Sequence, residues 1–163
     1  MSSSIRRQRR DFSELKGVDA KVAWLWKQVE QARDSGDAEA ARESLGRLLA
    51  DPGVLGTADE DLALLHLSQM ELEEGRNTEV ARRMTDFRWN SRPGPAALLL
   101  AADVYLKLDW FDQSLTALDR YLGEIPDDLD ARRKKGLVLL MLDRDEEAER
   151  ALLSVARRER YRI

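Results

Sequence analysis

Apolar residues recur along the chain at intervals of three and four, the spacing typical of amphipathic α-helices. In the first such stretch they are Val22, Leu25, Trp26, Val29 and Ala32. Short polar or glycine- and proline-containing segments separate this stretch from similar ones. The pattern predicts four pairs of helices and no strands, at about 18–32, 38–49, 58–74, 78–89, 96–108, 111–123, 128–142 and 145–158.

The predicted helix pairs repeat with a 34-residue period. Gly75, Asp109 and Asp143 lie 34 positions apart, each at a predicted turn. Narrow residues recur with the same spacing just past these turns: Val80, Ser114 and Ala148. The first turn, at Gly36, precedes the second by 39 positions, which predicts a five-residue insertion within 53–58. This period is typical of helix–turn–helix units that stack on one another.

On these residues the chain resembles the tetratricopeptide-repeat proteins. The segment 95–128 matches their repeat best, with Leu98, Ala102, Tyr105, Ser114, Leu118 and Pro126 at the characteristic positions. The segments 22–55, 61–94 and 129–162 carry parts of the pattern, with Glu71 in place of the tyrosine and Arg132 in place of a large apolar residue. The resemblance implies an all-α fold, a right-handed superhelical stack of antiparallel helix pairs at 18–163. Residues 1–17 lack helical periodicity and carry four arginines, so we expect them to form a basic, flexible tail.

In that family the first helix of each pair lines a concave groove that receives a peptide or a helix. The residues that resemble groove positions are Trp26, Glu30, Leu65, His66, Gln69, Leu99, Asp103, Leu106, Lys107, Arg133, Lys134 and Leu137. This set is apolar in its middle and basic towards its C-terminal end. We therefore expect a non-catalytic adaptor or chaperone that binds another protein, although each leucine could equally pack between helix pairs.

The composition excludes several kinds of chemistry. The 163 residues include no cysteine, so disulfides, thiol catalysis and cysteine-ligated metals are ruled out. His66 is the single histidine, and no triad, phosphate loop or metal-ligand spacing accompanies it. We predict no enzymatic activity, no cofactor and no metal. No apolar run is long enough to span a membrane, and a cytoplasmic location in a bacterium is the expectation.

Three alternatives remain open. The apolar groove also resembles in kind the bacterial type III secretion chaperones, whereas Leu65 and Leu99 disfavour the carboxylate clamp that other family members use. Leu139, Leu152, Leu153 and Val155 could leave the C-terminal end uncapped, which would allow a self-assembling scaffold. Arginine-rich termini (within 6–10 and 157–162) could contact nucleic acid or an anionic membrane, but the net charge of −4 opposes this.

Overall fold

The computed structural model describes residues 18–161, and within that range every helix or strand found is an α-helix. The helices are α1 (Val18–Asp34), α2 (Ala38–Ala50), α3 (Ala58–Glu73), α4 (Asn77–Asp86), α5 (Pro95–Lys107), α6 (Phe111–Glu124), α7 (Leu129–Met141) and α8 (Asp145–Arg160). The prediction of an all-α fold is confirmed. The predicted tail at 1–17 lies outside the described residues.

Four turns between paired helices share one backbone geometry. Gly36, Gly75, Asp109 and Asp143 all have positive φ, at 73°, 81°, 60° and 56°. In each turn, the N–H of this residue donates to the carbonyl three residues before it, and the next N–H donates to the carbonyl five residues before itself. These are the two hydrogen bonds of the Schellman motif, which satisfies the last carbonyls of a helix. The positions predicted from the 34-residue spacing are therefore the ones at which the backbone reverses.

Five residues after each turn lies a fully buried, narrow side chain. These residues are Ala41, Val80, Ser114 and Ala148, each 0% exposed. Ser114 also donates its hydroxyl proton to the carbonyl of Ala102 on the paired helix, at 2.9 Å. A small residue is needed here because the two helices of a pair approach closely. At Gly136 of α7, an added Cβ would lie only 2.6 Å from side-chain atoms of Leu152 on α8.

The chain divides into two compact units, residues 1–67 and 68–163, and the division falls within α3. In the described part of the first unit, α1 packs against α2. In the second unit, α5 packs against α6, α6 against α7, and α7 against α8. The core of this second unit is formed by Leu98, Ala102, Leu115, Ala117, Leu118, Tyr121, Ala131, Val138, Leu139 and Ala148.

Side chains fix several helix starts. Thr57 accepts from the N–H of Asp59 at 3.2 Å, and Glu60 reaches back to the N–H of Gly56 at 2.5 Å. This arrangement is close to the predicted capping box, although the glutamate bonds the residue before the cap. Asp128 caps α7 by accepting from the N–H of Ala131 at 3.0 Å. Pro95 occupies the first turn of α5, where its missing N–H costs nothing.

The fourth helix ends earlier than its apolar spacing predicts. We expected it to continue to Trp89, but it stops at Asp86, and Phe87 is extended with φ −61° and ψ 130°. The extended backbone lets Phe87 and Trp89 meet edge to face, with ring centroids 4.9 Å apart. Trp89 then packs against the core of the second unit. Burial of two aromatic rings thus competes successfully with a further helical turn.

Candidate partner-binding face

Two helices of the second unit carry seven of the residues predicted for a partner-binding groove. Positions three or four apart lie on one face of a helix. On α5 these positions are Leu99, Asp103, Leu106 and Lys107, and on α7 they are Arg133, Lys134 and Leu137. We call the surface formed by these seven residues the α5–α7 face. The structure brings its two halves together through a direct contact between charged side chains.

That contact joins Lys134 of α7 to Asp103 of α5. The Lys134 Nζ donates to Asp103 Oδ1 at 2.7 Å, and both side chains are partly buried. A second, longer ion pair holds Lys107, whose Nζ lies 3.8 Å from Oε1 of Glu73. Exposed pairs of this kind contribute at most about 1 kcal/mol to stability. Their main effect here is that each lysine already has a carboxylate partner.

Arg133, the third cation of the face, is paired as well. Its Nη1 donates to Asp130 Oδ1 at 2.8 Å, and its Nη2 donates to Glu159 of α8. The sequence predicted a basic C-terminal end for the groove. The cations are present, but the structure neutralises each with a carboxylate, so the α5–α7 face has little unpaired positive charge.

An exposed apolar stripe runs along α7 beside these ion pairs. Leu137, Leu140 and Met141 are 52%, 43% and 59% exposed. Their spacing of three and four residues places them on one side of the helix. We call these three residues the α7 apolar stripe. Sequence reasoning found Leu137 but missed Leu140 and Met141, although the same spacing, continued by one turn, would have found them.

The predicted groove leucines of the other helices behave differently. Leu99 and Leu106 are half-buried and pack against the core of the second unit. Leu65 is 0% exposed, which corrects its assignment as a groove residue. It follows helical apolar spacing as Leu137 does, but neighbouring side chains cover it completely. Leu65 is a core residue, so it is not available to a partner.

A separate group of predicted residues lies in the first unit. The Trp26 Nε1 donates to Asp59 Oδ1 at 2.8 Å, and its ring is tilted against His66 with centroids 5.7 Å apart. The Arg33 Nη1 lies 2.9 Å from His66 Nδ1. Because a guanidinium only donates, this imidazole nitrogen is an acceptor and lacks a proton.

His66 is therefore held neutral. Burial, followed by the positive charge of Arg33, lowers the pKa of His66 from 6.5 to about 4. A lowered pKa in a cleft can mark a catalytic base; the contacts recorded for this ring are with Trp26 and Arg33. These two contacts hold the ring in place.

The remaining predicted residues are placed individually. Glu30 is exposed on α1, and Gln69 is half-buried on α3 in the second unit. Of the twelve predicted residues, four thus lie in the first unit and eight in the second. Within residues 18–161 no cluster of three or more histidine, aspartate or glutamate side chains could hold a metal ion. None of the helices in that range is both long and apolar enough to cross a membrane.

The predicted apolar surface at the C-terminal end needs correction. Leu139 and Val155 are buried, at 1% and 4% exposed, and Leu152 is half-buried against the α7–α8 contact. Only Leu153, at 46%, is exposed as expected. The exposed apolar surface of α7 is instead the α7 apolar stripe, because α8 covers the α7 residues that point towards α8.

Comparison with known proteins assigns no family. No protein-family model, no curated protein and no solved structure matches the chain.

Proposed function

We propose that the chain is a stack of tetratricopeptide-like helix pairs that binds another protein and catalyses no reaction. The support for repeated pairs is the turn geometry shared by Gly36, Gly75, Asp109 and Asp143. Further support comes from the buried narrow residue that follows each turn by five positions. The right-handed superhelical arrangement of the whole chain is part of this proposal.

The observation that carries the binding function is the α7 apolar stripe. Its three side chains are exposed on a face whose cations already have carboxylate partners. A charged ligand therefore gains little there, and removing apolar surface from water supplies the binding energy, at about 25 cal/mol per Å². The matching partner is an amphipathic helix or peptide whose apolar residues recur every three or four positions.

An adaptor or chaperone role follows from this binding mode. A chaperone of this kind would cover an apolar segment of its client and so prevent the client's aggregation. The type III secretion chaperones remain one specific form of the proposal. A bacterial, cytoplasmic location is also part of it and rests on composition alone.

The test uses affinity purification from lysate of the source organism, followed by mass spectrometry. A variant with Leu137, Leu140 and Met141 each changed to serine should lose the protein captured by the wild-type chain. The reason is that the partner's apolar residues would then meet hydroxyl groups. Circular dichroism should show unchanged helical content, since all three side chains are exposed.

A matched control changes exposed apolar residues elsewhere. Leu55, Ile125 and Leu153 are 57%, 39% and 46% exposed, and none belongs to the stripe. A variant with these three residues changed to serine should retain the partner. If both triple variants capture the same protein as the wild type, the stripe is not the binding surface.

A further inference from the structure

A second candidate site lies away from the α7 apolar stripe, among α6, α7 and α8 of the second unit. It is an open cleft of about 450 Å³. Its apolar lining comes from Leu122, Pro126, Leu139 and Ala151, and its polar lining from Arg132, Lys135, Glu147, Arg150 and Ser154. None of the seven residues of the α5–α7 face lines it. The volume lies in the range of pockets that bind small ligands or a few side chains.

Two of the charged residues in this cleft already have partners. The Lys135 Nζ lies 2.7 Å from Asp119 Oδ1. Glu147 accepts two hydrogen bonds from Arg144, at 2.9 and 2.7 Å. The Arg144 side chain lowers the pKa of the Glu147 carboxyl below its usual value, so the carboxylate stays ionised and neutralised by Arg144. Lys135 and Glu147 are therefore each neutralised by a residue of opposite charge. The net positive charge of the cleft comes from its two arginines, Arg132 and Arg150.

Within residues 18–161, the hydrogen bonds of Arg132 and Arg150 run from their Nε atoms to backbone carbonyls. The acceptor for Arg132 is the carbonyl of Pro126, at 2.6 Å, and for Arg150 it is the carbonyl of Glu146, at 3.3 Å. No carboxylate of residues 18–161 lies within ion-pair distance of either guanidinium, although Arg132 and Asp127, and Arg150 and Glu147, attract each other at longer range. The cleft therefore contains two guanidinium groups whose terminal N–H groups donate to no carboxylate of the described residues.

The 34-residue period provides an internal comparison for this cleft. A smaller cleft, of about 170 Å³, is lined by Trp89, Leu98, Tyr105, Gln113, Thr116, Ala117 and Arg120. Advancing all of these except Trp89 by 34 positions gives six residues that line the larger cleft: Arg132, Leu139, Glu147, Arg150, Ala151 and Ser154. The two clefts are therefore the same feature of successive repeats.

The larger cleft differs from its counterpart in size and charge. Leu98 is 1% exposed in the core, whereas Arg132, at the corresponding position, is half-buried at the cleft. Thr116 is replaced by Arg150, and the position corresponding to Trp89 is Gly123. Losing an indole ring and a buried leucine side chain widens the space, and two arginines supply its charge. This also explains why the sequence departs from the repeat pattern at Arg132.

We propose that this cleft binds an acidic peptide segment of a partner protein. Carboxylates of the segment would accept hydrogen bonds from Arg132 and Arg150, since the planar guanidinium matches a carboxylate with two parallel bonds. An aliphatic or aromatic side chain between those carboxylates would pack on Leu122 and Pro126, which line the cleft and are partly or fully exposed. A nucleic acid fits less well, because none of the residues that line the cleft is aromatic, so no ring is available on which a base could stack.

The first experiment measures fluorescence anisotropy of a labelled peptide, EELFEE, with the full chain at low ionic strength. We expect saturable binding that weakens as salt is added, because screening reduces charge attraction. The neutral peptide QQLFQQ should bind at least about tenfold more weakly, since hydrogen bonds between two charged groups are the stronger ones. Equal binding of the two peptides, or no saturable binding of EELFEE, would overturn the proposal.

The second experiment replaces the two arginines of the larger cleft with the residues at the corresponding positions of the smaller cleft. Arg132→Leu with Arg150→Thr introduces the residues found 34 positions earlier, so the fold should be retained, as circular dichroism will check. This variant should bind EELFEE at least about tenfold more weakly. The control, Arg82→Leu with Arg120→Thr, removes the same charge outside the cleft and should bind as the wild type does. Equal weakening in both variants would contradict a specific site.

Two further arms separate this site from its alternatives. A single-stranded oligonucleotide should compete poorly with EELFEE, and better competition than by unlabelled EELFEE would assign the cleft to nucleic acid and overturn the proposal. The serine variant of the α7 apolar stripe should still bind EELFEE with wild-type affinity. That result distinguishes the cleft from the stripe, so either proposal can fail without the other.

Discussion

Glu71 occupies the position of the tyrosine in the repeat pattern, 34 positions before Tyr105, and is only 8% exposed. A carboxylate at a buried position is costly unless a cation and hydrogen bonds compensate it. The Arg83 Nη1 lies 2.7 Å from Glu71 Oε2 and 3.0 Å from the hydroxyl of Ser68. The tyrosine of the pattern is thus replaced by a paired acid and base on α3 and α4.

Removal of the arginine should therefore destabilise the protein. We expect Arg83→Met to lower the free energy of unfolding by about 2–3 kcal/mol, because it leaves a buried charge without a partner. Adding Glu71→Tyr, which restores the residue of the repeat pattern, should recover most of that loss. Urea unfolding followed by circular dichroism measures both. Arg82→Met, at an exposed neighbouring position, is the control, and a loss of similar size there would contradict the explanation.

His66 should make stability depend on pH. Its pKa is about 4 when folded and 6.5 as the reference value, so the unfolded chain binds the proton more readily. Above about pH 6.5 the neutral ring makes its full contribution to the free energy of unfolding. This contribution is lost as the pH falls towards 4. For a partly exposed ring we expect a loss of about 1–2 kcal/mol.

The measurement compares urea unfolding of the wild type and His66→Gln at pH 7 and pH 4.5. Glutamine cannot titrate, so the difference between the two proteins isolates the histidine from carboxylates that also protonate. The wild type should lose more stability than the variant as pH falls. A pH dependence that is the same for both proteins would mean that the ring makes no such contribution.

At the scale of elements, the four turns show that two residue types can adopt one conformation. Glycine fills the left-handed position at Gly36 and Gly75, and aspartate fills it at Asp109 and Asp143. A left-handed residue with a Cβ is strained by roughly 1–2 kcal/mol, although aspartate tolerates this better than most residues. The hydrogen bonds of the turn are the same in all four cases, so residue type changes only the strain.

Glycine should therefore be preferred at the two aspartate turns. We expect Asp109→Gly or Asp143→Gly to raise the free energy of unfolding by about 0.5 kcal/mol, after the entropy cost of glycine in the unfolded chain. Gly75→Ala should lower it by about 1 kcal/mol. Thermal and urea unfolding provide the measurement. The control, Asp112→Gly in the first turn of α6, should be destabilising by roughly 0.5–1 kcal/mol, from lower helix propensity and the loss of a favourable charge at the helix start, and stabilisation there would refute the assignment to turn geometry.

Helices and turns could be predicted from the sequence because both depend on local patterns. Apolar spacing located all eight described helices, and the 34-residue period located the turns at Asp109 and Asp143. Burial could not be predicted in the same way, because it depends on which elements lie alongside. Leu65 and Leu137 both follow helical spacing, yet one is 0% and the other 52% exposed. Three of the ion pairs that neutralise the α5–α7 face join residues 26 to 34 positions apart, beyond local pattern, whereas Arg133 and Asp130 are three positions apart.

At the scale of the whole molecule, net charge opposes the association that an exposed apolar surface favours. The chain carries −4 at pH 7 and has a sequence pI of about 5.2. Net charge keeps chains apart, and its loss promotes association. The α7 apolar stripe provides a surface through which association can occur. The self-assembling scaffold, the alternative to a partner-binding module, would require association at neutral pH as well.

Light scattering as a function of pH separates these two cases. We expect a monomer at pH 7 and association near pH 5.2, because repulsion disappears at the pI. Serine at Leu137, Leu140 and Met141 should reduce that association, whereas the Leu55, Ile125 and Leu153 control should not. A stable oligomer at pH 7 that the stripe variant abolishes would favour the scaffold over the adaptor.

The segment 95–128 begins with the first residue of its own first helix, α5, and ends with the residue that caps α7, the first helix of the next pair. It starts with Pro95 in the first turn of α5 and ends with Asp128, which is extended at φ −72° and ψ 101° and caps α7. The residue before a proline favours an extended backbone, and Asp128 is already extended. Pro95 of a second copy of the segment could therefore follow Asp128 of the first copy directly, without added linker residues. Tandem duplication of the corresponding stretch of the gene is therefore a simple evolutionary route to longer versions of this protein.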